Sequence, residues 1–244
     1  MIKLSKKKQK KARYKPSIEE QQINDHTQFR VIEAYKTLRT NLLFSLSTAN
    51  SRTTIISGAE PSSGKSTTSS NLAITIAQTG AKVILIDADM RNPTQHKLFS
   101  APNSPGLSNI LGGLCSTEDA IIDVMPNLRL IPAGEIPPNP SELLSSAHMA
   151  SLLEDLEEQS DYILIDTPPI CLITDSLTFI DRTAGMLLVA RQNQTTYDML
   201  QKAIDSIKYV NGNLLGLVIN DASTEDSNYG YGSYGYGRYN KKLQ

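Results

Sequence analysis

Short apolar runs alternate along the chain with longer stretches whose apolar positions recur every three or four residues. Val31, Ala34, Tyr35, Leu38, Leu42 and Leu46 fall at helical spacing. Residues 53–57 form a β-branched run that breaks at Gly58, which predicts a strand. A polar loop follows, then an amphipathic helix over 65–78 with Gly80 as its C′ glycine. Further strands are predicted over 83–86, 128–131, 162–165, 185–190 and 214–219, and helices over 116–123, 141–159, 175–182 and 196–210. Strands alternating with helices imply an α/β fold, a mostly parallel sheet with helices on both faces.

Both ends of the chain break this rhythm. Residues 1–15 hold Lys3, Lys6, Lys7, Lys8, Lys10, Lys11, Arg13 and Lys15 with no acid, so the remainder carries 16 basic against 25 acidic groups, a formal −9. The acidic body argues against a nucleic-acid partner. The basic arm reads as a solvated tail or as a contact for anionic lipid on an inner leaflet, where each Lys or Arg contributes about 1 kcal/mol. From Asp221 onward the chain is polar and low in complexity, and five of its ten tyrosines, Tyr229, Tyr231, Tyr234, Tyr236 and Tyr239, lie within eleven residues. Alternating Gly and Tyr offers no stripe that folds alone, so a mobile tail is expected. The organisation expected is therefore a basic arm (1–24), a domain (25–220) and a tail (221–244).

Composition narrows the class. With 244 residues and 39% hydrophobic side chains, the chain has ample apolar content for a core. Cys115 and Cys171 are too few to staple a chain this long, and the expectation for both is an inert thiol. No apolar run approaches the ~18–20 residues of a membrane span, and 5–15 is polar where a signal peptide needs an apolar core. These readings predict a soluble, cytoplasmic protein.

The chemistry is concentrated in Ala59-Glu60-Pro61-Ser62-Ser63-Gly64-Lys65-Ser66, followed by Thr67. This run fits the G-x-x-x-x-G-K-[ST] phosphate-binding loop with Ala59 in place of the first glycine. The substitution requires a negative φ at Ala59. Successive N–H groups at a helix start suit phosphate oxygens. Lys65 would reach the β- and γ-phosphates of ATP, and the Ser66 hydroxyl would hold Mg²⁺. Two apolar strands end in acids, at Asp166 and at Asp87 with Asp89 two residues on. Asp166 has the Walker B position, with Asp166 and Asp87 as candidate metal ligands. In a parallel sheet these acids and Lys65 converge beyond the carboxyl ends of the strands. A tyrosine hydroxyl with pKa near 10 needs a base to react at neutral pH. Asp87 and Asp89 are both candidates, with Asp87 on the metal–phosphate side and Asp89 toward the acceptor. Asn220, just past the last strand, is the candidate for reading adenine.

Together these features resemble the bacterial tyrosine kinases (BY-kinases), of the CpsD/CapB type that works in the cytoplasm in capsule and exopolysaccharide synthesis. Residues 84–93 look like that family's Walker A′ motif, Ile163–Pro169 like its Walker B, and Pro137-Pro-Asn-Pro-Ser-Glu-Leu-Leu144 like another of its runs, read physically as a rigid approach to a helix N-capped by Ser141. The family's E-x-x-R-x-x-R helix, which joins subunits into a ring, is matched by Glu33, Lys36 and Arg39, with lysine in the middle. Ser62 stands where many relatives have glycine. The resemblance implies a P-loop fold related to MinD and ParA. It also implies autophosphorylation of the tail tyrosines, a membrane activator of the polysaccharide co-polymerase type, a cognate tyrosine phosphatase and a location at the inner face of the membrane.

Three rivals stand beside it. A MinD/ParA-like ATPase needs a lysine where this chain has Glu60, whose charge repels phosphate. A nucleotide-gated adaptor of the polysaccharide machinery differs from a kinase in forming no phosphotyrosine. The tail, taken alone, also reads as an adhesive or phase-separating segment.

Overall fold

In the computed structural model, residues 22–24 and 27–222 are described. Most of the basic arm and all five tail tyrosines lie outside them. The element order is α1 (Phe29–Leu46), β1 (Thr53–Gly58), α2 (Lys65–Ala77), β2 (Val83–Asp87), α3 (Gln95–Leu98), α4 (Leu107–Leu111), α5 (Thr117–Ala120), β3 (Ile122–Met125), β4 (Leu128–Ile131), α6 (Pro140–Leu144), α7 (Ala147–Gln159), β5 (Tyr162–Asp166), a 3-10 segment (Asp175–Arg182), β6 (Gly185–Arg191), α8 (Tyr197–Tyr209) and β7 (Leu214–Asn220). The strands form one sheet in the order β3-β4-β2-β5-β1-β6-β7. Every pairing is parallel except β3 against β4.

The period of two along each strand divides the core in half. Ile56, Val83, Leu85, Leu164, Leu187 and Val189 pack on one face under Leu42 and Leu46 of α1 and the apolar side chains of α2. Ile55, Ile84, Ile86, Ile163, Ile165 and Leu188 point the other way, onto α4, α6, α7, α8 and Phe179 of the 3-10 segment. The central strands are therefore apolar on both sides, as a doubly covered parallel sheet requires. Register then fixes the site: Ile56 of β1 and Asp87 of β2 each lie opposite Asp166 of β5. Adjacent strands run about 4.8 Å apart, so the two acids end neighbouring strands at one level.

Several local expectations need correction. The helix expected over 116–123 is one turn, α5, followed by an edge strand, β3. Pro126-Asn127, with Asn127 at φ 62°, turns β3 back onto β4 as a hairpin. The single helix expected over 141–159 is two, because the Ser146 side chain accepts from Met149 N–H and restarts the chain as α7. The cap before α6 is Asn139 with Pro140 at the first helical position, not Ser141. The 175–182 stretch is 3-10 with a kink at Phe179. Helix α2 is not amphipathic but buried almost all round. It tolerates its serines and threonines because their hydroxyls bond back to its own carbonyls, Ser69 to Lys65 and Thr75 to Asn71, both at 2.9 Å. It ends at Ala77, so Gly80, at φ 93°, follows the end by one position more than expected.

Candidate active site

The loop between β1 and α2 is shaped by two glycines. A Cβ on Gly58 would lie 2.1 Å from Ser63 Oγ, and one on Gly64, at φ 94°, would lie 1.9 Å from Asn220 Nδ2. A side chain at Gly58 would have to displace Ser63 Oγ, and one at Gly64 would have to displace Asn220 Nδ2 and adopt a strained positive φ. Ala59 does not share the left-handed conformation found in this loop at Ser62 and Gly64, which meets the condition its substitution for glycine imposes. Ser62, by contrast, adopts φ 62°. The loop is braced from outside by Asn220 Nδ2 donating to Ser63 O (2.9 Å), Arg191 Nη1 to Ser62 O (3.2 Å) and Gln194 Nε2 to Pro61 O (3.2 Å). Thr68 N–H closes the first helical bond on Gly64 O at 2.8 Å. The N–H groups of Lys65 and Ser66, ahead of that bond, lie at the positive end of the α2 dipole.

A cleft of about 470 Å³ opens over this loop, bordered by Pro61, Ser62, Gly64, Lys65, Ser66 and Thr67 on one side. Asp89, Arg91, Asn92, Thr94 and the 168–173 segment face them. Ala59 and Ser63 are buried beneath it and Glu60 is half-buried. At its floor the Lys65 ammonium lies 2.8 Å from Asp89 Oδ2, 3.7 Å from Asp166 Oδ1 and 3.1 Å from Ser66 Oγ. Burial alone would lower the Lys65 pKa, but Asp166, Asp89 and Asp87 outweigh it and hold the group above the ordinary lysine value. Asp87 is wholly buried and accepts from the backbone N–H groups of Thr94 and Gln95, both at 2.9 Å, and of Asp89 at 3.2 Å. Its burial and the neighbouring charge of Asp166 push its pKa up to about 7, against those donors and Lys65, which pull it down.

Three carboxylates against one ammonium leave negative charge that a divalent cation balances. Two carboxylates and a hydroxyl are hard oxygen donors of the kind Mg²⁺ takes alongside substrate phosphates. Among the described residues no three His, Cys, Asp or Glu side chains form a metal cage, and Mg²⁺ in phosphoryl-transfer sites rarely uses one. The donor types suit the ion: Ser66 Oγ and Asp166 lie beside Lys65, while both oxygens of the third candidate, Asp87, already accept backbone N–H groups.

Sequence patterns miss Gln95. It is wholly buried, and its Nε2 bridges Asp166 Oδ2 (2.8 Å) and Ser66 O (3.0 Å). It thereby ties two of the three candidate metal ligands, Ser66 and Asp166, to the segment that caps the third, Asp87. No spacing rule marks it, because the contact spans 71 residues. The helix motif residues lie away from the cleft and are internally engaged. Lys36 Nζ pairs with Glu33 at 2.8 Å, and Arg39 Nη1 donates to Thr75 O at 2.8 Å near the end of α2. Cys115 and Cys171 are free and half-buried, with burial raising both thiol pKa values.

The comparisons agree with this geometry. The AAA domain family matches residues 51–214. The tyrosine-protein kinase YwqD of Bacillus subtilis is 37% identical over 201 residues, covering 82% of this chain and 85% of that one. The tyrosine-protein kinase ptk of Acinetobacter johnsonii is 38% identical over 199 residues, 81% of this chain but only 27% of its own longer one. Among solved structures, the kinase domain of the Escherichia coli tyrosine kinase ETK superposes with a TM-score of 0.74 at 36% identity, over 82% of this chain and 80% of that one. A plasmid partition protein from Borrelia burgdorferi, 19% identical with a TM-score of 0.56, shares the fold over 72% of this chain and 84% of that one. No helix among the described residues is long and apolar enough to cross a membrane. A P-loop whose lysine meets the acid ending β5 and the acid two residues past β2, on a chain this similar to YwqD, places the protein in the bacterial tyrosine-protein kinase family of capsule and exopolysaccharide synthesis.

Proposed function

We propose that this kinase transfers the γ-phosphoryl group of ATP to its own tail tyrosines, Tyr229, Tyr231, Tyr234, Tyr236 and Tyr239. In this reading the loop 59–67 wraps the phosphates, with backbone N–H groups at every position but Pro61, and Lys65 moves from Asp89 onto the β- and γ-oxygens. Asn220, which borders the groove between α1 and β7, contacts adenine. Ser66, Asp87 and Asp166 would hold Mg²⁺, which would neutralise charge on the phosphate oxygens. Asp89 borders the cleft while Asp87 lies sealed under backbone donors, which favours Asp89 as the group that takes the phenolic proton. The activity serves polysaccharide synthesis at the cytoplasmic face of the membrane. A membrane co-polymerase segment activates it, a cognate phosphatase reverses it, and the subunits form a ring through Glu33, Lys36 and Arg39.

The observation that carries this reading is Lys65 held between Asp89 and Asp166 at the mouth of the loop. Purified protein incubated with Mg-ATP and the activator segment should acquire phosphate on the tail, mapped by mass spectrometry. Lys65→Met and a variant with all five tyrosines changed to Phe should acquire none there. ATP consumption with an unmodified tail would instead make the protein a nucleotide-gated adaptor.

A further inference from the structure

Arg91 follows Asp89 by two residues and borders the same cleft. Its far side is anchored. Nε lies 3.4 Å from Asp175 Oδ2, and Nη2 lies 3.5 Å from Ser141 Oγ, whose hydroxyl in turn donates to Asp175 Oδ1. Asp175 opens the 3-10 segment and is 2% exposed, whereas the Arg91 side chain is 43% exposed. A buried carboxylate needs a counter-charge, but a half-exposed arginine needs no anchor for its own solvation. The arrangement therefore fixes where the guanidinium points. An arginine has five N–H donors in a rigid fork, so engagement on one edge leaves donors free on the other. Arg91 lines the cleft together with Lys65 and Asp89, whose charges pair with each other, so a donor left free on its fork is the positive charge there not already neutralised within the site.

We propose that Asp175, together with Ser141, is a positioning residue that aims Arg91 at the phosphoryl group as it passes to tyrosine. In that step the bond from the tyrosine oxygen to the γ-phosphorus forms as the bond to the β–γ bridging oxygen breaks. ADP leaves with that electron pair, and the phenolic proton goes to a cleft carboxylate. Arg91 exchanges no proton; it supplies a fixed positive charge to the oxygens of the moving group. The assignment gives the 137–144 run a role: its prolines fix the approach to α6, and α6 carries the hydroxyl that orients Asp175.

This rests on the kinase reading of the cleft, and the test separates the two. Wild type, Arg91→Ala, Asp175→Asn and the double variant are compared in initial rate of phosphotyrosine formation, KM for ATP, affinity for a fluorescent ADP analogue and thermal unfolding. Asp175→Asn keeps the acceptor for Ser141 but loses the charge. It should lower kcat about ten- to a hundredfold, the scale of a lost charge-assisted hydrogen bond, while KM and nucleotide affinity stay within about twofold. In the Arg91→Ala background it should cause no further loss of rate, and it should raise the unfolding temperature by removing a stranded buried charge. Ser141→Ala, run through the same cycle, decides the matter should Asp175→Asn fail to fold; it should slow wild type but not Arg91→Ala. An unchanged kcat, or equal losses in both backgrounds, overturns the assignment alone. A wild-type chain that forms no phosphotyrosine overturns the kinase reading with it.

Discussion

Among the described residues, Asp87 sets burial against charge most sharply. It is sealed from water beside Asp166, with Lys65 and the N–H groups of Thr94, Gln95 and Asp89 facing it with positive character. Its pKa rises from 3.8 to about 7. An unfolded chain releases this proton near pH 4, whereas the folded chain keeps it to near neutrality, so between those values the folded state binds more protons. Its stability in the absence of nucleotide and Mg²⁺ should therefore be greatest near pH 4 as far as this group is concerned. It should fall by about 1.4 kcal/mol for each unit as pH rises toward 7 and level off beyond. Asp87→Asn should remove that slope. Chemical denaturation at several pH values reads it, and an equal slope in wild type and Asp87→Asn would assign the dependence to other groups. Mg²⁺, by favouring the carboxylate, should flatten the wild-type slope.

The phosphate-binding loop shows what one element costs and what a sequence reveals of it. Ser62 occupies a left-handed conformation that costs a residue with a side chain roughly 1–2 kcal/mol and glycine almost nothing. Its carbonyl is the atom that Arg191 grips, so Ser62→Gly preserves the brace. After the extra backbone entropy glycine loses on folding, the variant should gain about 0.5–1 kcal/mol, and its unfolding midpoint should rise by about 1–4 °C by calorimetry. An unchanged or lower midpoint would show that the loop relaxes around the serine. The loop itself was legible because its requirements are local: a strand, a glycine at positive φ, and a lysine on the first helical turn. So were the strands of the sheet, whose alternation splits Ile55 from Ile56 and Ile84 from Leu85 between two cores. The edge strand β3 was hidden by a short run, Ile-Asp-Val-Met, with one polar residue in four, that reads equally as a helical turn. Gln95, Arg191 and Asp175 were hidden because they act across 71, 129 and 84 residues, through contacts that exist only once the sheet is assembled.

At the scale of the molecule, charge separates the ends from the body. The eight basic side chains of 1–15 leave a formal −9 on the rest, and the tyrosine cluster stands at the opposite terminus. Subunits joined through α1 would bring together chains that each carry a net negative charge outside the arm, with little to spare at the joint. Glu33 and Lys36 already pair on their own helix, about half exposed, and Arg39 already serves the Thr75 carbonyl. An exposed pair of this kind is worth at most about 1 kcal/mol, so it can be redirected to a neighbour cheaply, but a ring built on it has a small margin. Each phosphotyrosine adds about −1.5 to −2 charges near neutral pH, so five add on the order of −8 to −10 to every subunit. That repulsion acts over a Debye length of about 10 Å at 0.1 M salt and about 3 Å at 1 M. The fully phosphorylated protein should therefore sediment as smaller species than the five-Phe variant at low salt, and the difference should shrink as salt is raised. Equal sedimentation of the two proteins at low salt would mean that the charge of the tail does not govern assembly, and that the joint draws on contacts stronger than the Glu33, Lys36 and Arg39 edge.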